Sequence, residues 1–305
     1  MQNLIQPIGR FAPSPTGALH FGSLVTAVGS YLHSKSQGGL WLVRMEDLDT
    51  PRMQAGASDD ILRLLDCYGL HWDGHVVYQQ YRRAIYQDIV DQLLTQKNAY
   101  PCGCTRQSIR QYWRDKGQKN TTTYPNICRN GLPAGKSPRA VRIKTASHDM
   151  TFTDVVQGKT SQPVADFIIC RADGIIAYQL AVVVDDAWQN ITQVIRGTDL
   201  LDSTPRQIAL QQQLNYPTPV YAHLPLVLNA TGQKLSKQNL APALDTQAIL
   251  KTLYMSLQFL NQSPPIELLD GDINSFWTWA IAHWDIHHVK SASRVFATTS
   301  TMQNG

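Results

Sequence analysis

The sequence predicts an α/β fold built on a parallel sheet and interrupted by a smaller mixed region. Three observations carry that prediction. LIQPIGRF is short and apolar-biased, as a first strand would be. After a turn, ALHFGSLVTAVGSYLHSK places Leu19, Leu24, Val25, Val28 and Leu32 at helical spacing. GLWLVRMED is an apolar run that ends in acids, the pattern of a buried strand. Strand, turn, helix, strand is a βαβ unit, whose two strands run parallel. Ligands in such sheets sit at the carboxyl ends of strands, where Arg10–Ser14 and Glu46–Asp49 fall.

Further along, SDDILRLLDCYGL and QYRRAIYQDIVDQLLTQKN read as helices. After AYPCGCT the texture changes. Between Arg139 and Arg196 come short alternating stretches: AVRIK, MTFTDVVQG and ADFIICRADGIIAYQLAVVVDDA. Asp173–Gly174 is a hairpin signal within them. This reads as a small mixed domain inserted into the sheet. ITQVIRGTDLLDSTPRQIALQQQLN returns to strand then helix, and YAHLPLVLN is another strand. From Asp245 the pattern is helical, as in QAILKTLYMSLQFL, and the last dozen residues, rich in Ser and Thr, read as loose. No internal repeat is visible.

Composition bounds the class. The 305 residues are enough for about two domains, and 43% hydrophobic with 16% charged residues is globular rather than disordered. A net charge of +4 permits an acidic partner such as nucleic acid without requiring one. Five cysteines, an odd number unevenly spaced, do not make a secreted disulfide framework. MQNLIQPIGRF has no basic region before a long apolar run, and no stretch reaches the roughly 20 apolar residues of a membrane span. The expected location is the cytoplasm, with no membrane partner.

Two segments suggest phosphate chemistry. FAPSPTGALHFGSL has the glycines of a phosphate-binding turn but no lysine, so it is not a Walker loop. Pro13 and Pro15 stiffen the turn, while Gly17 and Gly22 allow close approach. His20 stands at the helix start, where amides and the dipole favour phosphate. A proline-rich turn capping an ordinary helix reads the same way. The second segment, GQKLSKQ, carries Lys234 and Lys237 three apart. That spacing suits a mobile loop closing over a triphosphate, with Lys237 neutralising a leaving pyrophosphate.

Cys102-x-Cys104 is followed by Cys128, and three thiolates bind zinc well although a structural site wants four ligands. Three free cysteines without a metal fit the same spacing. Cys67 and Cys170 sit in apolar stretches and read as core. Arg129, Lys136, Arg139, Arg142 and Lys144 follow, able to contact nucleic-acid phosphates or to form a solvated face.

Taken in order, these motifs carry a resemblance. FAPSPTGALHFGSL resembles the HIGH region of class I aminoacyl-tRNA synthetases, and KLSKQ resembles their KMSKS loop. With RMEDLDTPR and VVVDDAWQNITQVIRGTDLLDSTPRQ, the match runs from Gly9 to Gln238 and is similar to the glutamyl branch. Only a short helical segment follows the loop, where a glutamyl-tRNA synthetase carries a long anticodon-binding domain. That is similar to the glutamyl-Q tRNA(Asp) synthetase family.

The resemblance implies a Rossmann-type catalytic domain in two halves, residues 1–98 and 191–240. An inserted, acceptor-binding-like mixed α/β domain with a zinc site spans 99–190, and a helical C-terminal segment spans 241–305. It implies a glutamate site at Arg10, Ala12, Ser14, Glu46, Tyr178 and Arg196. Two arginines and one acid match the two negative charges and one positive charge of glutamate. It implies ATP, with magnesium, at His20, Gly22 and Lys237, and catalysis by His20, Lys234 and Lys237. One structural zinc ion is implied at Cys102, Cys104, Tyr124 and Cys128. Phenolate is an unusual ligand, so water or His148 stays open as the fourth.

The implied reaction is tRNA-independent activation of glutamate, then transfer to queuosine in the anticodon of tRNA(Asp), by a monomer. Charging of the tRNA acceptor end by a shortened glutamyl-tRNA synthetase is the alternative. A small-molecule nucleotidyltransferase shares the His-x-Gly motif, but the paired arginines and RGTDLL argue against it. The family's usual RGED is RGTD here, which keeps Arg196 and Asp199 and removes an acid at Thr198.

Overall fold

The computed structural model describes residues 6–118, 121, 123–146, 149–229, 232–235, 242–291 and 294–296. The chain starts as the βαβ pattern requires: β1 (Ile8–Phe11), α1 (Phe21–Lys35) and β2 (Leu40–Met45). β1 and β2 are parallel, with Arg10 opposite Leu42. The expected stripe is buried, Leu24, Val25, Val28 and Leu32 all being at most 1% exposed. Gly9 allows α1 to lie this close. A Cβ there would stand 2.1 Å from the Ser34 hydroxyl oxygen.

α2 (Ala57–Cys67), β3 (Val77–Tyr78) and α3 (Arg83–Thr95) follow, and β3 extends the parallel sheet on the far side of β2. Then come β4 (Ala99–Cys102), α4 (Arg106–Asp115), β5 (Ala140–Ile143), β6 (Asp149–Asp154), β7 (Gly158–Pro163) and β8 (Ile168–Cys170). β4, β5 and β8 form an antiparallel sheet, and β6 with β7 a hairpin. The mixed texture of this region is therefore real. Its sheet packs on the apolar faces of α3 and of two later helices. A small separate cluster surrounds the cysteines.

α5 (Tyr178–Trp188) departs from the sequence reading. YQLAVVVDDAW reads as strand-like, with three consecutive valines, yet it is helical. Leu180 to Val184 are all buried, so polar alternation disappears, and the β preference of valine is a weak prior that packing overrides. Before it, Asp173–Gly174 does form the turn of a short hairpin, with Gly174 N–H donating to the Arg171 carbonyl at 3.0 Å.

The parallel architecture resumes with β9 (Gln193–Gly197), α6 (Thr204–Leu214) and β10 (Val220–Leu224). Thr192, just ahead of β9, donates to the Ile8 carbonyl at 2.9 Å, so β9 enters beside β1. Strands thus extend from β1 through β2 and β3 on one side and from β9 through β10 on the other. The crevice above β1 and β9 is the topological switch point where α/β sheets bind ligands.

YAHLPLVLN is two strands, not one. Pro225 has no N–H for a ladder and separates β10 from β11 (Leu226–Leu228). α7 (Ile249–Phe259) and α8 (Ile273–His283) pack on α1 around Leu253, Leu257 and Phe276. β12 (Arg294–Phe296) pairs in parallel with β11. Among the described residues, no helix is long and apolar enough to cross a membrane.

Candidate active site

The carboxyl ends of three parallel strands converge at the switch point. Arg10 comes from β1, Glu46 directly follows β2, and Arg196 lies in β9. Tyr178 opens α5 and reaches the same place, its hydroxyl 3.5 Å from Arg196 Nη1. The fold thus brings together four residues separated by up to 186 positions in sequence. Ala12 is half-buried and Ser14 exposed along the turn after β1. That turn is pinned from the other loop: Glu46 N–H donates to the Pro13 carbonyl at 2.9 Å, and Gln54 N–H to Pro15 at 3.1 Å.

The two arginines differ in their partners. Arg10 Nε stands 3.1 Å from Asp186 Oδ1. Arg196 is 4% exposed, and no carboxylate lies within ion-pair distance of it among the described residues. Its Nε donates to His223 Nε2 at 3.0 Å and its Nη2 to Thr204 Oγ1 at 2.7 Å. Glu46 is the complement. Its Oε1 is buried without a hydrogen bond, and Arg44 Nη2 comes no nearer than 3.8 Å. Burial pushes the Glu46 carboxyl up to about 7, against the pull of Arg44 and Arg10. Burial likewise raises the Tyr178 phenol, and the Glu46 charge adds to it. A buried cation without an anion and a buried acid without a donor are costly alone. Together they suit a ligand carrying both an ammonium and a carboxylate.

Within RMEDLDTPR, Arg44 and Asp47 are buried while Arg52 is exposed. Arg44 is 0% exposed; its Nη2 stands 2.7 Å from Asp186 and its Nη1 donates to Gln189 at 2.6 Å. Burial raises the Asp186 pKa, but Arg10 and Arg44 outweigh it and hold the carboxyl below its ordinary range. Asp185, the neighbouring acid, accepts from Arg82, Gln79 and Tyr86 at 2.7–2.8 Å. Asp47 caps the chain at Gln80 N, and Asp49 pairs with Arg52 and Arg171.

His20 is the N-cap of α1, its Nδ1 accepting from Ser23 N–H at 3.2 Å. A Cβ on Gly22 would lie 3.1 Å from the His20 ring and 3.6 Å from the Leu235 carbonyl, so only glycine leaves this helix start open. Leu235 belongs to KLSKQ, so the second motif does reach the first. Lys234 Nζ sits 2.5 Å from Asp199 of RGTD. Thr198, where the usual acid is missing, donates to the Leu224 carbonyl at 3.1 Å. Lys237 lies outside the described residues.

The Sγ atoms of Cys102, Cys104 and Cys128 lie within 4.8 Å of one another, with 3.6 Å between Cys104 and Cys128. Tetrahedral zinc with Zn–S bonds of about 2.3 Å sets sulfurs about 3.8 Å apart, so the donor set fits a metal. The Tyr124 phenol oxygen is 3.4 Å from Cys102 and 3.9 Å from Cys104. His148 lies outside the described residues. Arg142 donates to Cys102 Sγ at 3.3 Å and stacks on the Tyr124 ring, while Arg129 pairs with Asp166 at 2.5 Å. Those two basic residues are structural; Lys136 and Arg139 remain on the surface.

Sequence reasoning missed Asp185, Asp186, Asp154 and His223. The first pair had a signal: adjacent acids in the apolar run VVVDDA need buried cations. His223, alone in an apolar strand, had none.

Residues 8–262 match the model of the catalytic domain of class I tRNA synthetases (E and Q). The glutamyl-Q tRNA(Asp) synthetase of Dechloromonas aromatica is 50% identical over 94% of this chain and 97% of its own length. That of Thiobacillus denitrificans is 51% identical over 92% and 94%. A solved glutamate tRNA ligase from Elizabethkingia meningosepticum, in complex with its amino acid, superposes with a TM-score of 0.81. It is 26% identical, over 96% of this chain and 67% of its own. The glutamate-tRNA synthetase of Elizabethkingia anophelis superposes equally well, at 25% identity.

Proposed function

Because this chain belongs to the glutamyl-Q tRNA(Asp) synthetase family of class I synthetases, we propose that it activates glutamate with ATP and passes the glutamyl group to queuosine in the anticodon of tRNA(Asp). The observation that supports the amino-acid site is that one crevice holds both Arg196, a buried cation without a carboxylate partner, and Glu46, whose buried Oε1 has no hydrogen-bond donor. Glu46 takes the α-ammonium. Arg196 and Arg10 take the carboxylates, with Ala12, Ser14 and Tyr178 completing the wall.

The substrate carboxylate is already ionised and needs no general base. It attacks the α-phosphorus of ATP in line, a P–O bond forms, and pyrophosphate leaves with the electron pair of the broken bond. ATP enters carrying magnesium on its phosphates. His20, Gly22 and the α1 amides receive the phosphates, and Lys234 and Lys237 neutralise charge as pyrophosphate departs. A nucleophilic oxygen of the acceptor base then displaces AMP.

The test is glutamate-dependent ATP–pyrophosphate exchange without tRNA, followed by mapping of labelled glutamate on tRNA(Asp). Exchange without tRNA and label on the anticodon base only when queuosine is present are expected. Label on the terminal ribose would instead identify a shortened glutamyl-tRNA synthetase.

Cys102, Cys104 and Cys128 would hold one structural zinc ion, with Tyr124 as the fourth ligand. Zinc there would cross-link the segment around β4 to that around Cys128. One zinc per chain is expected by elemental analysis, lost in Cys128→Ser. Tyr124→Phe is expected to yield its zinc to a chelator more readily, and an unchanged affinity would point to water or His148 instead.

A further inference from the structure

The hydrogen bonds of Arg196 lead away from the crevice into a buried chain of polar groups. β9 and β10 pair in a register that sets Arg196 beside His223. Arg196 Nε is 3.0 Å from His223 Nε2, and His223 Nδ1 is 2.6 Å from Asp154 Oδ2. His223 and the Asp154 side chain are fully buried. A guanidinium can only donate, so His223 Nε2 must be the acceptor. The imidazole is therefore neutral, with its proton on Nδ1 and directed at Asp154.

Asp154 can enforce that tautomer because its other oxygen is committed. Oδ1 accepts from the backbone N–H groups of Val156, Gln157 and His223 at 2.8–3.1 Å. The turn after β6 thus orients the carboxylate, and Oδ2 remains for the imidazole. Thr204 and the Leu200 carbonyl hold Arg196 Nη2. Nε and Nη2 are consumed by the protein, which leaves Nη1, beside Tyr178, for the crevice.

We propose that Asp154 and His223 are positioning residues for glutamate binding: the carboxylate of the β6–β7 turn selects the His223 tautomer that aims Arg196 at the substrate carboxylate. This rests on the reading of Arg196 as a glutamate ligand. It also ties the antiparallel hairpin to the amino-acid site through Asp154, the last residue of β6.

The variant that tests it is Asp154→Asn. Three backbone donors keep the asparagine oxygen in place, so the amide NH2 faces His223 Nδ1. The ring must then accept at Nδ1 and carry its proton on Nε2, where it opposes the Arg196 N–H and competes for Thr204 Oγ1, 3.1 Å away. The turn is kept and the tautomer is reversed. The expected result is a rise in the glutamate KM of about 10- to 100-fold, with the ATP KM and the melting temperature nearly unchanged. ¹⁵N spectra should show the His223 proton moving from Nδ1 to Nε2. In a His223→Phe background no ring nitrogen relays the state of residue 154 to Arg196. There Asp154→Asn should cost little. A glutamate KM unchanged in Asp154→Asn, or one that rises with the ATP KM in proportion to lost stability, would overturn the proposal. Arg196→Gln separates the two readings: if it too leaves the glutamate KM unchanged, the assignment of Arg196 itself fails.

Discussion

Glu46→Gln is expected to cut glutamate-dependent exchange severely and, in the unliganded protein, to raise the melting temperature at pH 8. Both effects follow from one buried carboxyl. Burial lifts its pKa from an ordinary 4.5 to about 7. A group whose folded pKa is raised contributes stability below its unfolded pKa and loses it as pH rises through the folded value. The ionised carboxylate therefore destabilises the empty site above pH 7, by an upper bound on the order of 3 kcal/mol. Glutamine is neutral throughout, so the variant should be the more stable protein at pH 8 and equal to wild type below about pH 4.5. The bound α-ammonium needs the ionised form, so wild-type glutamate affinity should fall as pH drops below 7. The loss of exchange in Glu46→Gln should reach about 10²–10³-fold, the effect of removing one partner of a buried charge pair. A melting temperature lowered by the substitution at pH 8 would contradict this account.

Lys237→Ala should lower kcat for exchange by about 10²–10³-fold while leaving the glutamate KM and the melting temperature where they were. The lysine is assigned to charge that develops on the leaving pyrophosphate, and a charge felt mainly in the transition state moves kcat. Lys234→Ala should do less. Its ammonium is already engaged by Asp199, so part of its charge is neutralised before ATP arrives. Exchange at the wild-type rate in Lys237→Ala would remove the loop from the mechanism.

Much of the fold was legible because amphipathic elements announce themselves. α1 exposes little, yet its apolar stripe still had a period, and β2 ended in acids as a strand reaching a site does. α5 was misread because its middle, Leu180–Asp186, is buried on all sides and leaves no period to read. The location of the candidate site was legible for a related reason. Strand ends are recognisable from the residues that follow them, so Arg10 and Glu46 could be placed at the carboxyl ends of parallel strands before any distance was known, whereas Arg196 was assigned by the family resemblance. The state of those side chains was not legible. Nothing in RMEDLDTPR distinguishes Glu46, whose Oε1 is left without a donor, from Asp47, which caps a backbone N–H.

By itself the sequence determined the parallel start of the sheet and the order of the motifs, because each depends on local pattern, while the residues assigned to glutamate came from the family resemblance that those motifs carry. Only the tertiary structure decided which charges are already paired. Asp186 from α5 engages Arg10 and Arg44, the turn after β6 engages His223, and Arg196 is left without an acid. Those pairings join residues more than sixty positions apart, and a carboxylate is satisfied by whatever donor the fold brings within about 3 Å, not by its neighbours in the chain.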